Sequence, residues 1–283
     1  MRSVIRFSAA LSLVAISARA EAPAVKWTHG PATVSLGAQA DLKLPEGYQF
    51  ADGPTTQKLM ESMGNHVSKQ EVGLVAPSRE GADWILVFEY QNTGFVKDDE
   101  KDKIDKGALL ASIREGTEAG NERRKEMGVP GLHVTGWFEE PHYDRKSHNL
   151  VWALAAEDDN KVPVVNYNMR VLGRQGVMSV TLVDAPQGLS ASKQEAETLM
   201  GEFGYKAGKS YAEFRPGDKV AEYGLIALVA GGAGAAAVKF GLFAWLAKIL
   251  AKSGKAIVGL VIVAVAGLKN LIARLFGRGA EGR

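Results

Sequence analysis

The segment His142-Tyr143-Asp144-Arg145-Lys146-Ser147-His148 holds the densest set of chemically capable side chains in the chain. Two imidazoles and a carboxylate in one loop are the ligand types of an open zinc site, where bound water becomes a hydrolytic nucleophile. Arg145 and Lys146 oppose that use by placing positive charge beside the metal. The helical i, i+4 histidine pair is also absent. Three ligands on one loop are poorly preorganised. A polar turn, with Asp144 bonding its own backbone, explains the segment better. His142, Asp144 and His148 therefore stand as weak metal candidates only, and neither a catalytic residue nor a cofactor is assigned.

Three other stretches imitate known chemistry. The run from Lys97 to Asp105 is acidic enough to suggest calcium, but it lacks the mid-loop glycine and closing glutamate of an EF-hand, and its lysines repel a divalent ion. It reads as a solvated helix entry, with acids near the positive dipole end. Gly204-Tyr-Lys-Ala-Gly208-Lys209-Ser210 is one residue short of a phosphate loop and follows a helix rather than a strand. Gly232, Gly234 and Ala237 match a dinucleotide fingerprint only in spacing, because no strand precedes them and no acid follows at the right distance. Gly188-Leu-Ser-Ala-Ser192 is not a nucleophile elbow, and Ser190 reads as a helix N-cap.

These residues need elements to hold them. Helix patterns cover 54–63, 105–127 and 190–204; the longest starts at Asp105, aligns Leu109, Leu110 and Ile113, and stops at Gly128. Strand alternation is plain in Trp84-Ile-Leu-Val-Phe-Glu-Tyr90 and recurs over 133–139, 149–156, 162–172 and 177–184. The connections 157–160 and 173–176 are too short for parallel crossovers. The expected fold class is thus α+β, an antiparallel β-meander sheet with helices on one face, followed by a C-terminal transmembrane helical region. Val165, Tyr167, Met169 and Val171 should line the buried face. Asn166, Asn168 and Arg170 should line a wet one, a candidate binding face set against the commoner solvated surface. Trp27, Trp84, Trp137 and Trp152 read as core.

The ends carry targeting information. Arg2 and Arg6, an apolar run from Phe7 to Ile16, and Ala18-Arg19-Ala20 before Glu21 have the layout of a bacterial secretory signal peptide. Tyr223 to Ala247 contains 25 residues and one charge, Lys239, about 37 Å of helix against a hydrocarbon core of about 30 Å. A second run, Ala256 to Leu268, reaches only about 20 Å. Leu268, Leu271, Ile272, Leu275 and Phe276 then share one face of a basic amphipathic helix suited to an anionic leaflet. One crossing keeps every later lysine and arginine inside, as the positive-inside rule favours; a two-span hairpin would return the tail outside. Gly231, Gly232 and Gly234 lie in a small-residue stretch that would let transmembrane helices pack closely, with self-association as the consequence.

Composition agrees with that placement. The chain has 283 residues and no cysteine, so disulfides, thiolate metal sites and cysteine nucleophiles are excluded. Its formal charge of +2 is segregated: residues 21–220 hold 23 basic against 30 acidic side chains, and both ends are basic. An acidic body argues against nucleic acid as a partner. The domain plan is 1–20 signal peptide, 21–220 exported α+β domain and 221–283 membrane anchor with a basic tail.

Several spaced motifs resemble one family. They are Gly94-Phe-Val-Lys-Asp-Asp-Glu100, Gly136-Trp137 before Pro141-His-Tyr-Asp144, Leu150-Val-Trp-Ala153, Val165-Asn-Tyr167, Leu172-Gly-Arg174, Tyr211-Ala-Glu-Phe214, Asp218-Lys219 and Tyr223-Gly224. Together they are similar to the bacterial family called domain of unknown function 2167, from about Pro31 into the apolar tail. Phe95 and Glu213 depart mildly from the residues expected there, Tyr and Asp. The resemblance implies an exported domain anchored in the membrane and supplies no activity or site residues. The expectation is a binding, sensing or scaffolding domain in the bacterial inner membrane, with its main domain on the periplasmic side. Its partners would be the lipid bilayer, a second copy through the transmembrane helix, and an envelope protein of unknown identity. The alternatives are a tethered metal-dependent hydrolase and a membrane-active or oligomerising tail.

Overall fold

The computed structural model describes residues 25–230, residues 64 and 66 excepted. In chain order it contains β1 (Thr28–His29), β2 (Ala32–Leu36), β3 (Ala40–Leu44), β4 (Tyr48–Asp52), α1 (Gly53–Ser62), β5 (Glu71–Pro77) and β6 (Ile85–Gln91). After these come α2 (Lys106–Glu126), β7 (Leu132–Asp144), β8 (Asn149–Asp158), β9 (Pro163–Leu172), β10 (Val177–Asp184), α3 (Leu189–Gly201), β11 (Phe203–Tyr205), a 3-10 turn (Tyr211–Glu213) and α4 (Leu225–Val229).

Eight strands form one antiparallel sheet in the order β1-β4-β5-β6-β10-β9-β8-β7, and β11-β3-β2 form a second, smaller sheet. The fold is α+β, dominated by that large sheet. The expected meander is present as β7-β8-β9-β10, with unbroken register from β8 through β10. It joins an N-terminal run, β4-β5-β6, through β10 against β6 in the sheet centre. β7 is longer than the alternation indicates, because register shifts at Val134/Gly136, Trp137/Glu139 and Glu139/His142 break its pattern. Such bulges also protect an exposed edge strand from pairing with another chain.

Helices cover both faces, which corrects the one-face expectation. On one face, Leu189, Ala196 and Leu199 of α3 pack with the small sheet against Leu86, Phe88, Tyr167, Met169 and Val180. On the other, Leu109 and Ile113 of α2 meet Trp152, Leu154 and Leu172, and Met60 of α1 meets Leu74, Val87 and Val183. Strands β8, β9 and β10 bury both sides over most of their length, whereas β7 at the sheet edge stays largely accessible.

Local signals explain two of the helix starts. Asp105 accepts the backbone N–H of Ala108 at 3.0 Å, capping α2 as its sequence indicates. Asp52 caps α1 through Thr55 in the same way. Ser190 is not the cap of α3: Gly188 stands there without a side-chain bond. Instead Ser192, one turn into the helix, donates to Asp184 at 2.6 Å and ties α3 to the end of β10.

The last described helix bears on the anchor. Leu225, Leu228 and Val229 belong to the same apolar cluster as Val96, Leu109 and Trp152. The backbone N–H of Ile226 donates to Glu100 Oε2 at 3.0 Å. The first residues of the Tyr223–Ala247 run are therefore domain core. Among the described residues no helix is long and apolar enough to cross a membrane. The signal-peptide segment 1–20, Gly231, Gly232, Gly234, the rest of the apolar run and the basic tail lie outside the described residues.

Candidate functional site

The structure does not gather the histidine loop into a ligand set. Asp144 accepts the Lys146 backbone N–H at 2.9 Å and the Ser147 hydroxyl at 2.7 Å, the polar turn its composition indicates. His148 Nδ1 sits 3.0 Å from the Tyr143 hydroxyl, and its ring lies 4.6 Å from that of Tyr211. His142 is largely exposed, with Nδ1 3.3 Å from the Glu140 carbonyl oxygen and 3.6 Å from Glu139 Oε1. Among the described residues no group of three or more histidines and carboxylates is placed to hold a metal ion.

Polar side chains converge instead in the middle of the large sheet. Directly opposed residues on antiparallel neighbours share a face, so register alone assembles a row. Glu71 of β5 pairs with Glu89 of β6, Glu89 with Ser179 of β10, and Ser179 with Arg170 of β9. The adjacent row on that face runs Thr181, Asn168 and Trp152, and Asn166 follows opposite Val183. The row lies between two apolar patches, one under α2 and α4 and the other under α1.

Asn166, Asn168 and Arg170 do share one face, as alternation predicts, but that face is not wet. They are 1%, 5% and 7% exposed. The expectation of a solvated strip fails because tertiary packing buries it, which period-two alternation cannot reveal.

Burial makes each polar atom here consequential, since an unpaired buried donor or acceptor costs about 1–3 kcal/mol. Some are satisfied locally: Asn168 Nδ2 donates to the Asn166 carbonyl at 2.9 Å, and Thr181 Oγ1 donates to Asn168 Oδ1 at 3.3 Å. Others are not. Ser179 Oγ, Glu71 Oε2 and Trp152 Nε1 are buried without a hydrogen-bond partner. The other oxygen of Glu71 accepts from the backbone N–H of Ser68 at 2.7 Å. Arg170 donates one long bond, 3.4 Å, to the neighbouring Met169 carbonyl, and its guanidinium carbon lies 4.7 Å above the Trp152 ring. That cation–π contact holds the charge while leaving most of its donors unspent.

Glu89 completes the arrangement. Burial pushes its carboxyl up to about 7; Arg170 opposes the shift and Glu71 adds to it. Burial is the chief cause, and the Glu71 carboxylate across the strand pair adds only a smaller push in the same direction. Burial also draws the Arg170 guanidinium down to about 10, with Glu89 resisting, so it stays charged near neutrality. Glu89 is half-buried in the sheet, beside Glu71 and Ser179 in register.

Sequence reasoning found Arg170 and both asparagines by alternation. It passed over Ser179 and Glu71, and it read Glu89 only as one more strand residue. A glutamate between Phe88 and Tyr90 in an otherwise apolar strand was the available signal.

A second set of contacts fixes the approach to the C-terminal segment. Arg174 donates through two nitrogens to both Asp218 oxygens at 2.7 Å, and this fork lowers the Asp218 carboxyl to about 2. Nearby, Phe95 and Val220 form a parallel bridge. Gly94 permits the close pass: its φ is +94°, and a Cβ there would lie 2.6 Å from the Lys219 carbonyl oxygen.

A family model described as protein of unknown function (DUF2167) matches residues 28–266, and the chain belongs to that family. No curated protein matches it. Among solved structures it is similar to the solution structure of cyanobacterial PsbP (CyanoP) from Synechocystis sp. PCC 6803, at 11% identity and a TM-score of 0.38. That alignment covers 68% of this chain and 98% of the other, and at such a score it carries no argument here.

Proposed function

We propose that the chain is an exported binding or sensing domain of the bacterial envelope, tethered to the inner membrane with its body on the periplasmic side. In this reading residues 1–20 direct export, the working domain begins at 21 and runs through α4, and the chain beyond α4 forms the anchor with its basic tail. The observation that carries the reading is the run of charge-poor residues that begins inside the domain core at α4 and continues to Ala247. With Leu225–Val229 held in that core, 17 residues from Gly231 to Ala247 remain before Lys248. At 1.5 Å per residue they supply about 25 Å, the lower end of a spanning length.

The binding half of the reading is supported by the buried row of Glu89, Ser179 and Arg170, whose polar capacity the domain leaves unspent. The rival of a tethered hydrolase loses its residues, since His142, Asp144 and His148 are each turned to separate contacts.

The test is a reporter phosphatase fused after residue 220, combined with alkaline carbonate washing of membranes from cells making the full chain. The expected result is an active exported reporter and a full-length protein that stays in the pellet. Reporter activity confined to the cytoplasm, or release by carbonate, overturns the reading.

A further inference from the structure

The segment that leads into α4 carries two exposed large apolar side chains, Phe214 at 37% and Val220 at 39%. Between them stand Arg215 and Lys219, both exposed and neither closing an ion pair among the described residues. The one acid in that interval, Asp218, gives both oxygens to the Arg174 guanidinium and one of them also to the Arg215 backbone N–H, at 2.7 Å each. Several contacts hold the loop in one shape. Glu213 accepts from the Gly208 N–H at 2.9 Å and from the Ser210 hydroxyl at 2.7 Å. Phe95 meets both Tyr211 and Phe214, with ring centroids 4.4 and 4.1 Å away. The Phe95 N–H donates to the Lys219 carbonyl, and the Ala221 N–H donates to the Phe95 carbonyl, each at 2.8 Å. A loop so fixed loses little further freedom when its outward side chains meet a surface.

Apolar tips flanking unpaired cations suit the boundary between acyl chains and lipid headgroups. The domain as a whole does not: residues 21–220 hold 23 basic against 30 acidic side chains, so an anionic leaflet repels the body and admits only a locally cationic face. Chain length keeps this face near the tether. Five extended residues and the short helix α4 separate Val220 from Ala230 by no more than about 25 Å.

We propose that the loop from Phe214 to Val220 docks on the anionic phospholipid surface of the membrane that holds the tether, with Phe214 and Val220 entering the interface and Arg215 and Lys219 meeting lipid phosphates. The proposal deepens the tethered reading above and rests on it, because the tether keeps loop and leaflet together. Each cation should favour the docked state by about fivefold, and salt should screen that gain.

The chain has no cysteine, so Pro216→Cys, at an exposed loop position, carries a single environment-sensitive fluorophore. Asn160→Cys, exposed in the β8–β9 turn at the other end of β9 from Arg174, gives the comparison. The full chain of each is reconstituted into phosphatidylcholine vesicles, with or without about one-quarter phosphatidylglycerol, and quenching by a headgroup-nitroxide lipid is read after flotation. The expected result is quenching at 216 in the anionic vesicles, lost in high salt, and none at 160. Adding Arg215→Gln and Lys219→Gln together should lower the docked-to-free ratio by about twenty-five-fold. Phe214→Ser should weaken docking in the same assay. Should that variant fail to fold through loss of its Phe95 contact, the double charge variant decides, since both of its sites are exposed. A floated chain without quenching at 216, quenching there that is indifferent to phosphatidylglycerol, equal quenching at 160, or unchanged docking in the double variant overturns the proposal and leaves tethering standing. A chain that does not float with the vesicles overturns both.

Discussion

Glu89→Gln should stabilise the protein, and by an amount that depends on pH. The folded chain holds the Glu89 carboxyl at about 7, against an ordinary 4.5. Below pH 4.5 both folded and unfolded forms are protonated and the group is neutral in its effect. Between 4.5 and 7 the unfolded chain releases its proton first, so stability declines as pH rises. Above 7 both forms are ionised and the loss is complete. The difference of about 2.5 units corresponds to about 3 kcal/mol at 1.36 kcal/mol per unit. Glutamine keeps the shape and removes the ionisation. Above pH 7 the variant should therefore unfold at higher denaturant than the parent, with the gap closing as pH falls toward 4.5. Urea unfolding of the mature chain in micelles, followed by tryptophan fluorescence at several pH values, measures it. A parent and variant with parallel stability–pH profiles would refute the claim that Glu89 is the desolvated acid of the sheet.

Other consequences are separately measurable. Tyr205 accepts the Met178 backbone N–H at 3.0 Å and donates to the Val171 carbonyl at 2.8 Å. Tyr205→Phe should thus cost about 1–3 kcal/mol in the same unfolding assay, because two buried backbone groups lose their partner. Ile113→Ala, at a site 1% exposed under α2, should cost about 2–5 kcal/mol and loosen α2 from the meander, read as faster amide exchange along that helix. His133 bridges Glu118 and Asp159 at 2.9 Å on each side, and these carboxylates raise its imidazole above the ordinary 6.5. Its clip between α2 and the β8–β9 turn is complete below 6.5 and is lost as pH rises through the raised value. An NMR titration giving 6.5 or less would contradict it.

Legibility in the sequence followed burial geometry. The strands from Ile85 to Gln91 and from Leu132 to Asp184 were readable because alternation ran long enough to exceed chance, and the helices because Asp105 and Gly128 punctuate them. The small sheet was not readable: β2 and β3 have five residues each, too few for a periodic signal, and β11 has three. Alternation placed Asn166, Asn168 and Arg170 on one face but could not say what covers it. Its burial comes from segments distant in sequence, whose docking is a tertiary fact. The pairing of Glu71 with Glu89 was hidden for the same reason, since register joins residues that no local pattern links.

Attachment with an outward-facing body is the central claim, and spheroplast proteolysis tests it most directly. Intact cells, spheroplasts and detergent-lysed spheroplasts are each treated with external protease, and the chain is followed by an antibody to its α2 segment. The account predicts protection in intact cells, digestion in spheroplasts, and co-sedimentation of the undigested chain with membranes. An α2 segment that survives in spheroplasts and is cut only after lysis would contradict it.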